Sequence, residues 1–440
     1  MESLVRRDLV GYSSASNLSF NENIKNLIRS GRKIHHFGFG QSPFPVVGAA
    51  VEALKDNAGR SAYLPVAGLP ELREEICSFH ERHDGVKFNP ENVIVAPGSK
   101  ELIFLALHVF NGDVIVISPC WTTYKPQVLL ANHKPYVIQT SMDTQWKITP
   151  HGFEKFLQEN ELTGNKLLIM NNPDNPTGTC YTESELRDLS EVFRRNNVIV
   201  ISDEIYSRLN YADNHATLPK LYPEGTILST SLSKWASAGV GGLSLLFLIC
   251  SQLGYHVYPP ELSDFREVIR SAASNTYTSA PSPMQYAAIE MFKNSKACDD
   301  YISHTKRIMG LVADYCHREL TSVGLKAVKP GGGFYIFPDF EVVRASLEKR
   351  GITTCSQMCE ALLDEASVAL MAGGPAFLRP VDELTTRLCF VNFDGTEALS
   401  TSRKIGLDKP LPNDFLLEYC GPVCAGIESI KTWVTKQLAN

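Results

Sequence analysis

The chain has 440 residues, 44% hydrophobic and 20% charged, which suits a large soluble protein with room for two cored domains. A net charge of −6 argues against nucleic acid or an anionic membrane surface as the main partner. The opening MESLVRRDLVGYSS lacks the apolar core of a signal peptide, and 11 cysteines lie scattered among periodic segments. Both features point to reduced thiols in a cytoplasmic protein.

In chain order, NVIVAP (92–97) predicts a strand leading into a buried helix over KELIFLALHVF. DVIVISP (113–119), KLLIMNNP (166–173), NVIVISDEIY (197–206) and TILSTSLS (226–233) are further strands. Between the third and fourth of these five, TESELRDLSEVFRRNN has a Thr182 cap, early acids and late arginines, which suit a helix and its dipole. The apolar run from Leu243 to Cys250 is too short to span a bilayer, which takes about 20 residues. After about residue 300 the texture changes to a long helical stretch, DDYISHTKRIMGLVADYCHREL, then GGGFYIFPDF, another helix and RLCFVNFDG. Cys355 with Cys359, and Cys420 with Cys424, could share helix faces, but no histidine stands at metal-site spacing beside them, so no metal is expected.

Apolar strands alternating with helices indicate an α/β fold, with a mostly parallel sheet covered on both faces. The expected division is an N-terminal segment over 1–50, a large domain over 51–305 and a smaller α+β domain over 306–440, which the N-terminal segment joins. Polar clusters fall just after strands, where open α/β sheets place their ligands. Lys234 follows a strand behind Ser231 and Ser233 and could form an imine with an aldehyde. Asp203 and Glu204 end an apolar strand, and a carboxylate there could hold a pyridinium proton. In NNPDNPTG (171–178) two prolines could fix Asn175 as a donor to a ring oxygen. APGSKELIF puts a glycine and Ser99 at a helix start, where backbone N–H groups suit a phosphate. Together these parts describe a site for pyridoxal phosphate.

With NPDNPTG, SDEIY and SLSK in that order and at these spacings, the chain resembles the class I/II aminotransferases of fold type I over essentially its whole length. The resemblance implies that Lys234 carries the cofactor and moves the substrate α-proton. It implies that Asp203 holds the pyridinium proton, while Tyr206 and Asn175 bond the ring oxygen. It further implies Trp121 stacked on the ring, Ser99, Lys100 and Ser231 at the phosphate, and Gly40, Asn175 and Arg387 at the substrate carboxylate. Tyr63 matches a tyrosine that reaches the neighbouring subunit's phosphate, which implies a homodimer with shared active sites. The implied reaction moves an amino group between an α-amino acid and a 2-oxo acid by a ping-pong mechanism. A lyase or decarboxylase of the same fold shares these motifs and stays open.

One position departs from the family's pattern. Eight residues after its lysine the family has a phosphate-binding arginine; here that position is Gly242, and the chain has no arginine between Lys234 and Arg266. VGGLSLLFLICSQ (240–252) stands where about three residues, the arginine among them, would be expected. Three readings compete: an error or splice variant in the coding sequence, a real insertion in an active enzyme, and a catalytically impaired paralogue. Loss of one hydrogen bond to a charged group, roughly 1.5–3 kcal/mol, would lower cofactor affinity by ten- to several-hundred-fold.

Overall fold

The computed structural model describes residues 4, 6, 9, 16–237 and 253–439. Its main sheet has seven strands in the order β2-β8-β7-β6-β5-β3-β4. These are β2 (Val93–Ala96), β3 (Asp113–Ser118), β4 (Pro135–Gln139), β5 (Lys166–Asn171), β6 (Val198–Asp203), β7 (Thr226–Ser231) and β8 (Gly254–Val257). Strands β4, β3, β5, β6 and β7 pair in parallel, and β8 runs antiparallel between β7 and β2.

The alternation of side chains along each strand explains why these runs are apolar throughout. Val114 and Val116 of β3, with Leu167 and Ile169 of β5, face a core shared with α4 (Ser99–Val109), α5 (Tyr124–Leu130) and α8 (Ser263–Thr276). Ile115, Ile117, Leu168 and Met170 face the opposite core, with α6 (Pro150–Glu159) and α7 (Glu183–Arg195). Helices on both faces leave no solvated side, so neither set of positions can be polar. Each fully buried aliphatic side chain contributes about 1.5–3 kcal/mol. The start of α7 is a capping box: Thr182 accepts from the Glu185 amide, and Glu185 returns the bond to the Thr182 amide.

A third core joins α3 (Pro70–Asp84), α9 (Ser282–Lys293) and α10 (Ser295–Ser322) to the C-terminal part of the chain. Two smaller sheets stand there. Strand β1 (His35–His36) pairs in parallel with β10 (Val368–Ala369), and β12 (Thr386–Cys389) lies between β9 (Tyr335–Ile336) and β11 (Met371–Ala372). The N-terminal segment therefore adds a strand beside the C-terminal third, through the His35 and Phe37 amides bonded to Ser367 and Ala369.

The five expected strands form with their apolar runs intact, and the helix expected within 182–197, capped by Thr182, forms as α7. Strands β4 and β8 were not anticipated: PYVIQ and GYHV are short, and their polar residues break the apolar run. The pair Cys355 and Cys359 lies on one helix, Cys355–Ala366, and Cys420 caps the helix that carries Cys424. The ten described cysteines are free. Among the described residues, no helix is long and apolar enough to cross a membrane. The run 243–250 and Gly242 lie outside the described residues.

Candidate active site

The strands of the parallel set deliver their last residues to one edge. Register aligns Asn171 with Asp203 and Asp203 with Ser229, so the ends of β5, β6 and β7 lie side by side. Asn171 ties this edge together, donating to the Asp203 carbonyl at 2.7 Å and accepting from the Asn175 amide at 2.7 Å. Beyond it, Thr177 donates to the Asp174 carboxyl at 2.6 Å and closes the loop that carries Asn175.

Asp203 is 3% exposed. Its Oδ2 accepts from the Tyr124 hydroxyl at 2.6 Å, and its Oδ1 is buried with no hydrogen-bond partner among the described residues. Burial raises its pKa to about 6, against the opposing bond from Tyr124. The adjacent acid turns elsewhere: Glu204 accepts from Ser202, Thr217, the Leu218 amide and His215, at 2.7 to 3.1 Å. Of the two acids ending the strand, only Asp203 keeps an unsatisfied oxygen.

Lys234 sits in the turn after β7. The next residue, Trp235, is 2% exposed and stacks on Phe79 with centroids 5.3 Å apart, which anchors the turn. Lys234 Nζ donates to the Gly40 carbonyl at 2.7 Å and lies 5.9 Å from the Tyr206 ring centroid. Its pKa falls to about 8, mainly by burial, with Arg387 and Lys100 adding repulsion. The Tyr206 hydroxyl bonds that of Tyr335 at 2.7 Å.

The start of α4 forms the next wall. Gly98 precedes it with φ 95°, and Ser99 opens its first turn. Ser231, at the end of β7, pairs with Gly254 of β8. A Cβ on Gly254 would meet the Ser99 nitrogen at 2.1 Å, so backbone packs directly on backbone here. Trp121 stands edge-on to Tyr124 at 5.4 Å, and Lys100 Nζ lies 4.9 Å from the Trp121 ring centroid.

Arg387 enters from the smaller sheet on β12 and is 2% exposed. It donates to the Gly38 carbonyl at 2.7 Å, to Asn175 Oδ1 at 3.1 Å and to the Met371 sulfur at 3.0 Å. Its Nε is buried without a partner, and none of the ion pairs among the described residues includes it. The guanidinium lies over the rings of Tyr335 and Phe377 at 4.9 and 5.0 Å. A buried, permanently charged group held by neutral acceptors is arranged for an anion.

Lys234, Asp203, Asn175, Tyr206, Gly40 and Arg387 are thus linked by direct contacts or shared strand ends, with Ser99, Lys100, Trp121 and Ser231 along the adjoining wall. Tyr63 stands apart, 88% exposed in the loop before α3. Sequence reasoning missed Tyr124 and Tyr335. Tyr124 bonds a carboxyl 79 residues away, and neither its own segment nor GGGFYIFPDF carries a local signal for the site roles of Tyr124 and Tyr335.

Residues 32–397 match the family described as aminotransferase class I and II, and the chain belongs to that family. It is an aminotransferase, moving an amino group between an α-amino acid and a 2-oxo acid, and the family depends on pyridoxal phosphate. The aspartate aminotransferase of Geobacillus stearothermophilus is 30% identical over 371 residues, covering 82% of this chain and 88% of that protein. A probable aspartate/prephenate aminotransferase of Aquifex aeolicus is 29% identical over 375 residues, covering 82% and 90%. Among solved structures, aspartate aminotransferase from Thermus thermophilus with maleate superposes with a TM-score of 0.77 at 25% identity, covering 92% of this chain and 98% of that one.

Proposed function

We propose that this chain carries out amino transfer with pyridoxal 5'-phosphate held at the strand ends. Asp203 would pair with the ring nitrogen, Asn175 and Tyr206 with the ring oxygen, and Trp121 with the ring face. Ser99, Lys100 and Ser231 would hold the phosphate, and Lys234 would carry the cofactor. The observation that carries this reading is a pair of buried demands unmet among the described residues: the partnerless Oδ1 of Asp203 and the guanidinium of Arg387, which lacks a counter-charge there. One calls for a cationic N–H and the other for a carboxylate, and a pyridinium ring with an amino acid beside it supplies both. Backbone N–H groups at the start of α4, packed on the bare backbone of Gly254, suit a phosphate.

When bound, the cofactor supplies an electron sink for charge developing at the substrate α-carbon. Arg387 orients the substrate carboxylate with a planar fork, beside Asn175 and the open backbone of Gly40. Lys234 holds and moves the α-proton at Nζ, and a pKa of about 8 lets it exist in both protonation states near neutral pH. Asp203 keeps its proton partner at Oδ1 in place, supported from behind by Tyr124. Trp121 keeps water from the ring face.

The named relatives support a dicarboxylic substrate as the narrower reading. The exposure of Tyr63 supports its reaching a second subunit, in a homodimer with shared sites. The division 1–50, 51–305 and 306–440 is proposed with the unbroken helix α10 as the connection. Free thiols support a cytoplasmic setting.

The test is direct. Purified chain with added pyridoxal phosphate should show a visible band that borohydride bleaches and fixes to Lys234. A panel of single amino acids should then convert that band, aspartate and glutamate fastest. No band with excess cofactor overturns the reading for this chain. Release of carbon dioxide or an eliminated side chain, without conversion, would instead support a lyase.

A further inference from the structure

Tyr335 belongs to none of the roles given above, yet it meets Tyr206, Arg387 and the backbone at Gly40. It is 2% exposed on β9, and its hydroxyl pairs with that of Tyr206 at 2.7 Å. Its ring face lies under the Arg387 guanidinium at 4.9 Å. Its strand neighbour in register is Cys389, next but one to Arg387 on β12. Gly40 leaves room for the hydroxyl, since a Cβ there would lie 2.1 Å from it. Two chemically different parts of one side chain therefore meet two different functional groups.

We propose that Tyr335 is a positioning residue with two separable actions: its hydroxyl aims the Tyr206 hydroxyl, and its ring holds the Arg387 guanidinium. This rests on the reading of Tyr206 as a ring-oxygen donor and Arg387 as the carboxylate fork. The direction of the Tyr206–Tyr335 bond follows from that reading. A Tyr206 hydroxyl donating to the cofactor's ring oxygen has its lone pairs free, so Tyr335 donates and Tyr206 accepts. A phenol that accepts a hydrogen bond becomes a better donor in turn, which is the cooperativity of a hydrogen-bonded chain. The face of Tyr335 attracts the guanidinium through its quadrupole without using any N–H needed for a carboxylate. Tyr335 thus links β9 and the smaller sheet to the turn after β6 without touching the reacting atoms.

The two actions separate by substitution. Tyr335→Phe deletes the hydroxyl and keeps the ring. It should raise the pH midpoint of the loaded chain's visible band by about half a unit, because a weaker Tyr206 donor stabilises the deprotonated form less. Its KM for the amino acid should change less than about twofold, since the ring still supports Arg387. Tyr335→Leu should raise KM about tenfold as well as shifting the midpoint. If Tyr335 acts through Tyr206, the midpoint of Tyr206→Phe should be unchanged by adding Tyr335→Phe.

An additive double variant, or a Tyr335→Phe midpoint equal to wild type, overturns the first action. Equal KM for the Phe and Leu variants overturns the second. Melting temperature is the folding control; should Tyr335→Phe fail to fold, Tyr335→Met, which keeps bulk but removes both hydroxyl and ring, overturns the proposal if it gives the wild-type midpoint and KM. A wild-type chain without a visible band sinks the parent reading and this proposal with it. A wild-type band with no effect at Tyr335 sinks the proposal alone.

Discussion

The two buried charges of the site meet their surroundings in opposite ways. Asp203, at the end of β6, is supported by the Tyr124 phenol and the Ile205 amide, and burial still raises its pKa to about 6. Among the described residues, Arg387, on β12, has only neutral acceptors and two ring faces around it. A carboxyl can give up its charge by taking a proton, whereas a guanidinium cannot. The desolvation cost at Asp203 therefore varies with pH, and the cost at Arg387 stays in the fold until an anion binds. The large sheet supplies a tunable acid, and the small sheet supplies a fixed cation.

The largest expected effect lies between them, at Lys234. Lys234→Ala should lower turnover by at least about 10³-fold and abolish the visible band, because the group that moves the α-proton is gone. Turnover close to wild type would assign the proton to another residue. Next, Arg387→Leu should cut kcat/KM by about 10²–10³-fold while stabilising the chain by about 1–3 kcal/mol in urea denaturation. If that variant is instead destabilised, the guanidinium is a structural cation and the contrast with Asp203 fails.

The third prediction concerns pH. The folded pKa of Asp203, about 6, lies above its reference value of 3.8, so between these values the folded chain binds more protons than the unfolded one. Stability from this group is fully present below the lower value and is lost as pH rises through the upper one, a change of about 3 kcal/mol. Lys234, lowered from 10.5 to about 8, has the reverse effect on the alkaline side: stability from this group increases as pH rises between those values. Urea midpoints of the cofactor-free chain should show both slopes, Asp203→Asn flattening the acid one and Lys234→Ala the alkaline one. The smallest effect is remote from the site. Thr182→Ala should cost about 1 kcal/mol through the lost cap on α7 and leave kcat/KM unchanged.

How much was legible varied along the chain, for identifiable reasons. The parallel strands were readable because both of their faces are covered, which forces uninterrupted apolar runs such as LLIM and VIVI. Their catalytic ends were readable because polar residues after such runs are conspicuous: Asn175, Asp203 and Lys234 each follow one. Strand β8 was not readable, since its residues pack by backbone contact at Gly254 and through polar partners such as His80, bonded to Tyr255 at 2.8 Å. On the smaller sheet, Arg387 in TTRLCFVNFDG was assigned only through family resemblance, and no pattern in its own segment announces a buried cation.

Local order therefore fixed the class of fold, the helix cap at Thr182 and the identity of the groups at the strand ends. Hydrophobic periodicity and capping act over a few residues, and a single chain displays them directly. The tertiary structure decided the pairings: Tyr124 with Asp203, Tyr206 with Tyr335, and Arg387 with Asn175, which are 79, 129 and 212 residues apart. Such contacts arise when separate sheets and loops close on one another, and nothing within a short window of sequence encodes which buried group will meet which.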